Sequence, residues 1–129
     1  MLTTQSHNPD RFFAGFLAGL KIVHPERLTG NRAAFNRAFY TAVNSPSGQF
    51  FGPEALDIDF DPLYGVSPWF ERQLTRAQSD LLVSFPNPSY SAVDIKLRQE
   101  QAERLLAQLG DADHFIELAK EFVSRLAKP

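Results

Sequence analysis

Three residues in the second half of the chain have side chains of the types that metal-assisted hydrolysis uses, two carboxylates and an amine. Asp80 precedes an apolar run, and Asp94 and Lys96 are alternate residues of a later run that is typical of a β-strand. Two carboxylates can hold a divalent cation, and a lysine beside them can orient or activate an attacking water molecule. If the fold brings these side chains together, the chemistry they support is metal-assisted hydrolysis.

This arrangement resembles the D…(D/E)xK pattern of the PD-(D/E)xK nuclease superfamily, carried here by Asp80 and Asp94-Ile95-Lys96. The resemblance implies a nuclease with two metal-binding carboxylates and one catalytic lysine. Ser79, however, stands where that family usually has proline. Aspartate and lysine two residues apart are also common on the polar face of an ordinary strand.

A second pattern lies in the order of predicted elements. Ser67-Pro68 is a helix start, with a capping side chain followed by proline at the first helical position. Two β-capable runs, Leu81–Phe85 and Tyr90–Leu97, follow this helix on either side of the loop Pro86–Ser89. A helix followed by such a hairpin resembles the second half of a winged helix-turn-helix domain.

That resemblance implies a helix lying in the DNA major groove, with Arg72, Gln73 and Arg76 as the candidate DNA contacts. Arg72 and Arg76 are one helical turn apart, so they can reach neighbouring phosphates or a guanine edge. Attraction to phosphate dominates DNA affinity, and the chain between residues 49 and 66 carries four acidic residues and no lysine or arginine. This acidic segment opposes DNA binding by the helix that follows it.

The acidic segment alternates between apolar and charged side chains, which predicts a half-buried extended chain. The alternating residues are Leu56, Asp57, Ile58, Asp59, Phe60 and Asp61. An EF-hand loop beginning at Asp57 would need glycine and glutamate where Pro62 and Pro68 stand, so that calcium motif is excluded. We therefore expect a solvated acidic face and no metal site.

Composition narrows the possible functions further. The chain of 129 residues has no cysteine, which excludes disulfides, thiol nucleophiles and cysteine zinc sites. A net charge of −2 gives no general attraction to nucleic acid or to a membrane surface. The longest apolar run, Phe12–Leu20, is too short to span a bilayer. No cofactor motif is present, so we predict neither a cofactor nor a membrane association.

The helical stripes and turns predict one domain over residues 1–129, of α+β class and mostly helical. It has about five helices, one β-hairpin and a winged-helix-like middle section. Residues 1–7 are expected to be flexible, 8–44 to form a helical pair, 67–97 a helix plus the hairpin, and 98–127 an antiparallel helix pair. Gly15 and Gly19 place a small-residue face on the first helix, which predicts close contact with another helix.

No catalytic constellation is complete enough to name a reaction. The sequence therefore favours a non-enzymatic protein-interaction or regulatory module of a bacterial-type cytosol, whose partner is another protein or a second copy, as in a homodimer. Trp69, Ile116 and Val123 are the candidate partner contacts: Trp69 if it is exposed, and the other two because they widen the apolar stripe of the last helix. A winged-helix-like DNA-binding protein is the alternative, and a metal-dependent nuclease is the second alternative.

Overall fold

The computed structural model describes residues 8–52, 56–80, 83–84 and 92–127. The elements in chain order are α1 (Pro9–Val23), β1 (Leu28–Thr29), α2 (Arg32–Val43), α3 (Pro46–Gln49), α4 (Pro68–Ser79), β2 (Val83–Ser84), β3 (Ala92–Ile95), α5 (Gln99–Leu109) and α6 (Ala112–Ala127). The predicted α+β class is confirmed: helices dominate, and the strands form a small antiparallel sheet. The predicted flexible segment 1–7 lies outside the described residues.

The helices begin where the sequence provides capping side chains. Asn8 accepts a hydrogen bond from the backbone N–H of Arg11 at 2.8 Å, and Ser67 accepts one from that of Phe70 at 3.2 Å. Asn31 caps α2 in the same way. Each of these side chains satisfies an N–H group that has no partner inside its helix. The short helix α3, which follows Ser45, is a sixth helix where the sequence predicts only a turn.

The three strands form a sheet in the order β1-β3-β2, with β3 antiparallel to both neighbours. Val83 pairs with Ile95 and Ser84 with Asp94, which confirms the predicted hairpin where it is described. The loop Pro86–Ser89 and its flanking residues lie outside the described residues. Strand β1 is absent from the prediction, because a two-residue strand has no recognisable alternation and is defined by its pairing with β3.

The winged-helix resemblance predicted from the sequence concerns α4 and the hairpin that follows it. In helix-turn-helix motifs the two helices are joined by a turn of about three to four residues. Here residues 44–67, including α3 and the acidic segment, separate α2 from α4. The long connection is therefore the part of the fold that departs most from a winged helix.

Aromatic side chains form the centre of the core. Phe39 is fully buried, with its ring centroid 5.7 Å from Trp69 and 4.5 Å from Phe70. Helix α1 packs against α6 at the two predicted glycines: a Cβ atom on Gly15 would lie 2.5 Å from the Phe115 ring, and one on Gly19 would lie 2.8 Å from the Phe115 carbonyl oxygen. The predicted close helix contact is confirmed, since neither position has room for a side chain.

Candidate interaction surface

A tight turn at residues 61–66 presents two large apolar side chains to solvent. Leu63 is 81% exposed and Tyr64 is 74% exposed. Every other large apolar side chain in the described ranges is buried or half-buried. Isolated exposed apolar residues are ordinary on protein surfaces, but these two are adjacent at the tip of one turn. We call residues 61–66 the LY turn.

Hydrogen bonds within the LY turn fix its shape. The N–H of Asp61 donates to the Val66 carbonyl at 2.7 Å, and the N–H of Gly65 donates back to the Asp61 carbonyl at 2.8 Å. The Asp61 side chain accepts the Leu63 N–H at 2.9 Å, an Asx-type turn. Gly65 has φ +67°, a left-handed conformation that favours glycine. The two apolar side chains therefore project from a turn whose backbone conformation is stabilised by its own hydrogen bonds.

The segments beside the LY turn are attached to α2 and α4. The ring of Phe60 stacks on Tyr40 of α2 with centroids 4.7 Å apart. The Asp59 side chain accepts the N–H of Trp69 at 3.0 Å, in the first turn of α4. The backbone N–H of Ser67 donates to the buried side chain of Asn36 at 2.8 Å. The turn is thus held from both sides by helices that contribute to the core.

The acidic segment follows its predicted burial pattern only in part. Leu56 is buried, Ile58 and Phe60 are half-buried, and Asp57 and Asp59 are exposed. The chain is not a regular strand, because Asp57 has φ +60° and the only bridge in the described part of this segment joins Asp61 to Val66. Within the described part of the chain, no group of three or more acidic or histidine side chains could hold a metal ion.

Helix α4 divides the three predicted DNA contacts between its two faces. Arg72 and Arg76 are exposed, whereas Gln73 is only 6% exposed, on the inner side with Trp69 and Phe70. Position 73 follows these two core residues by one helical turn, which places it on their face. The interpretation of Gln73 as a DNA contact is therefore dropped.

The outer face of α4 has mixed charge. Arg76 Nη1 lies 3.1 Å from Asp10 Oδ1, and both side chains are about 60% exposed. Glu71 lies on the same helix and pairs with Arg32 of α2 at 3.0 Å. No ion pair of Arg72 is seen among the described residues. Three arginines and two carboxylates share this face, so it is not a continuous positive surface.

Asp94, a residue of the nuclease pattern, is engaged by a cation from another part of the chain. Arg27 donates two hydrogen bonds to it, Nε to Oδ1 at 2.7 Å and Nη2 to Oδ2 at 3.1 Å. These bonds are the main cause of a lowered pKa of Asp94, and the charges of Lys96 and Lys21 lower it further. Both oxygens of Asp94 therefore face a guanidinium, which leaves them poorly placed to bind a metal cation.

The three candidate partner contacts are not on one exposed patch. Trp69 is only 3% exposed and packs against Phe13 and Phe39, so it does not offer a partner surface. Ile116 and Val123 are half-buried and pack against the core. Leu63 and Tyr64, which are exposed, were not singled out from the sequence. In the sequence, proline and glycine at positions 62 and 65 flank these two apolar residues, and this pattern predicts a turn.

None of the helices in the described residues is long and apolar enough to cross a membrane. Comparison of the chain with protein-family models, with curated proteins and with solved structures finds no match.

Proposed function

We propose that this protein is a non-enzymatic interaction module that docks a partner protein through the LY turn. The observation that carries the proposal is the exposure of Leu63 and Tyr64, 81% and 74%, on a turn with its own hydrogen bonds. Burying one such side chain at an interface contributes roughly 1.5–3 kcal/mol. Because the turn is already ordered, little conformational entropy is lost when it binds.

The charges beside the turn indicate the chemistry of the partner. Asp57 and Asp59 are exposed, and Asp61 begins the turn. Arg37 Nη2 lies 4.0 Å from the position that a Cβ atom on Gly65 would take. A surface complementary to this set is an apolar depression with a basic rim. The absence of cysteine suits a reducing, bacterial-type cytosol as the place where this contact operates.

Site-specific photo-crosslinking in cells tests the proposal. A photoreactive phenylalanine analogue replaces Tyr64 in one variant and the exposed Thr75 of α4 in the control variant. We expect a discrete protein adduct from position 64, lost when Leu63→Ser is added and suppressed by excess unlabelled wild-type protein. Equal adduct formation from positions 64 and 75, or an adduct that Leu63→Ser leaves unchanged, would contradict the proposal.

DNA binding by α4 is the second candidate, favoured by the winged-helix order of the elements and by the exposure of Arg72 and Arg76. Fluorescence anisotropy of a labelled duplex at low and physiological salt tests it. A DNA reader would bind with an affinity that falls steeply with salt and with Arg72→Ala. Unchanged anisotropy at tens of micromolar protein would remove this candidate.

A further inference from the structure

His114, in the first turn of α6, stacks face to face on Phe50, the residue that follows α3. The two ring centroids are 3.6 Å apart and the ring planes differ by 3°. Parallel rings in van der Waals contact are separated by about 3.5–4.0 Å, so this centroid distance leaves almost no sideways offset between the rings. Phe39 and Phe70, another stacked pair, have centroids 4.5 Å apart.

This face-to-face geometry is unfavourable for two neutral rings. The face of an aromatic ring carries partial negative charge, so neutral pairs prefer an offset or an edge-to-face arrangement. A cation over the ring face is attracted by that same charge. Because histidine side chains gain a positive charge in the range between about pH 8 and pH 5, protonation of His114 converts an unfavourable pairing into a favourable one.

The ionisable groups that α6 itself places near His114 are acidic. Asp111 precedes the helix, Asp113 lies in its first turn, and Glu117 follows His114 by one turn. Glu117 Oε2 lies 3.5 Å from Lys120 Nζ, so this carboxylate already has a cation as partner. The N-terminus of a helix carries partial positive charge, which opposes a cation there. The helix end and the two aspartates therefore act in opposite directions on a charged His114.

The neighbouring elements add few charges. Residues 45–52, which include α3, have no ionisable side chain, and neither does the last turn of α5 at residues 106–109. The first turn of α1 contributes Asp10 and Arg11, and Asp10 forms an ion pair with α4. On the side of the stack that faces α3, His114 is therefore the group whose charge changes near neutral pH.

We infer that the Phe50–His114 stack is a pH-sensitive contact between the end of α3 and the start of α6, which strengthens when His114 is protonated. His114 is exposed and Phe50 is half-buried, so the stack lies within reach of solvent protons. Phe51 continues the contact inward, with its ring centroid 5.2 Å from Phe50 and 4.6 Å from the buried Phe115. The pH therefore controls how firmly the start of the connection between α2 and α4 is held against the core.

Histidine ring NMR signals recorded between about pH 8 and pH 5 test this inference. Phe50→Leu keeps an apolar side chain and removes the ring face, so the titration midpoint of His114 should fall by roughly 0.4–0.7 pH units, the size of a cation–π contact at an exposed site. His24, for which no ring contact is seen among the described residues, is the internal control and should not shift. A His114 midpoint that stays unchanged or rises in Phe50→Leu would overturn the inference.

Hydrogen exchange of the backbone amides beside the stack is the second test. The N–H of Phe51 donates to the Gly48 carbonyl and that of Gly52 to the Gln49 carbonyl, both at 3.0 Å. After correction for the intrinsic effect of pH on exchange, the protection of these two amides should be about two- to five-fold greater near pH 5.5 than near pH 7.5.

His114→Phe is the matched variant for this measurement, because it keeps an aromatic ring at position 114 and removes the charge. Its two amides should show the same protection at both pH values. Wild-type protection that does not change with pH would overturn the inference, and so would a pH dependence that persists in His114→Phe.

Discussion

Asn36 Nδ2 donates a hydrogen bond to Glu71 Oε2 across 2.7 Å, which joins α2 to α4. Asn36 is fully buried, and its amide also donates to the Arg32 carbonyl and accepts the Ser67 N–H. All the hydrogen-bonding atoms of this side chain therefore have partners. Asn36 therefore links α2 both to Glu71 of α4 and to Ser67, the residue that caps α4.

Replacing Asn36 with alanine should lower the free energy of unfolding by about 2–4 kcal/mol. The Ser67 N–H and the partly buried Glu71 carboxylate would lose a partner, and an unsatisfied buried polar group is costly. Urea unfolding followed by circular dichroism measures the change. Gln78→Ala, at an exposed position of α4, is the control and should change stability by less than about 0.5 kcal/mol. Equal stability of the two variants would show that the network does not support the fold.

Gly15→Ala should destabilise the protein by roughly 1–3 kcal/mol, although alanine favours helix formation by about 1 kcal/mol over glycine. The added methyl group would meet the Phe115 ring at 2.5 Å. Thermal unfolding of the single variant and of Gly15→Ala with Phe115→Leu measures this clash. Gly15→Ala should lower the melting temperature less when it is added to Phe115→Leu than when it is added to the wild-type protein. A Gly15→Ala variant as stable as wild type would mean that α1 and α6 are less closely packed.

Leu63→Ser should leave the free energy of unfolding within about 0.5 kcal/mol of wild type, because the side chain is 81% exposed. The matched control is Leu118→Ala, a truncated leucine that is fully buried in α6. Leu118→Ala should lower the free energy of unfolding by about 2–5 kcal/mol. Urea titrations of both variants check this difference. A large loss for Leu63→Ser would indicate that the LY turn packs against the protein and is not available to a partner.

The Arg27–Asp94 pair should contribute stability that depends on pH. The folded pKa of Asp94 is lowered, chiefly by the hydrogen bonds from Arg27, so the contribution is present above the unfolded pKa of about 4. It is lost as the pH falls through the lower folded pKa, when the carboxyl becomes protonated in both states. Arg27→Met should therefore be less stable than wild type at pH 7, and the difference should disappear towards about pH 2.

Urea midpoints measured at intervals between pH 7 and pH 2 test that dependence. The effect is small because Arg27 and Asp94 are partly exposed, with side-chain exposures of 53% and 28%. Arg104→Met is the control: Arg104 is an exposed arginine of α5 with no ion pair among the described residues. The stability difference between Arg104→Met and the wild-type protein should not change with pH. A difference for Arg27→Met that grows on acidification would contradict the assignment.

Local sequence was sufficient for the five longer helices and for the hairpin, but not for the short helix α3. Apolar residues spaced by three and four positions define the buried face of α1, and Asn8 and Ser67 identify two helix starts, because capping uses atoms only a few residues apart. The hairpin was predicted from two β-capable runs close in the chain, whereas its register, with Val83 opposite Ile95, is given by the structure. Each of these features depends on contacts within about one turn or one hairpin, which sequence spacing reveals.

The candidate surfaces required the tertiary structure. Asp94 faces Arg27, a partner 67 residues away, and no spacing rule connects them. The exposure of Leu63 and Tyr64 depends on which side of the LY turn the helices cover. By itself, the sequence determined the five longer helices and which of their faces are apolar. Tertiary packing decided which side chains remain at the surface, because burial and ion pairing depend on elements that are distant in the chain.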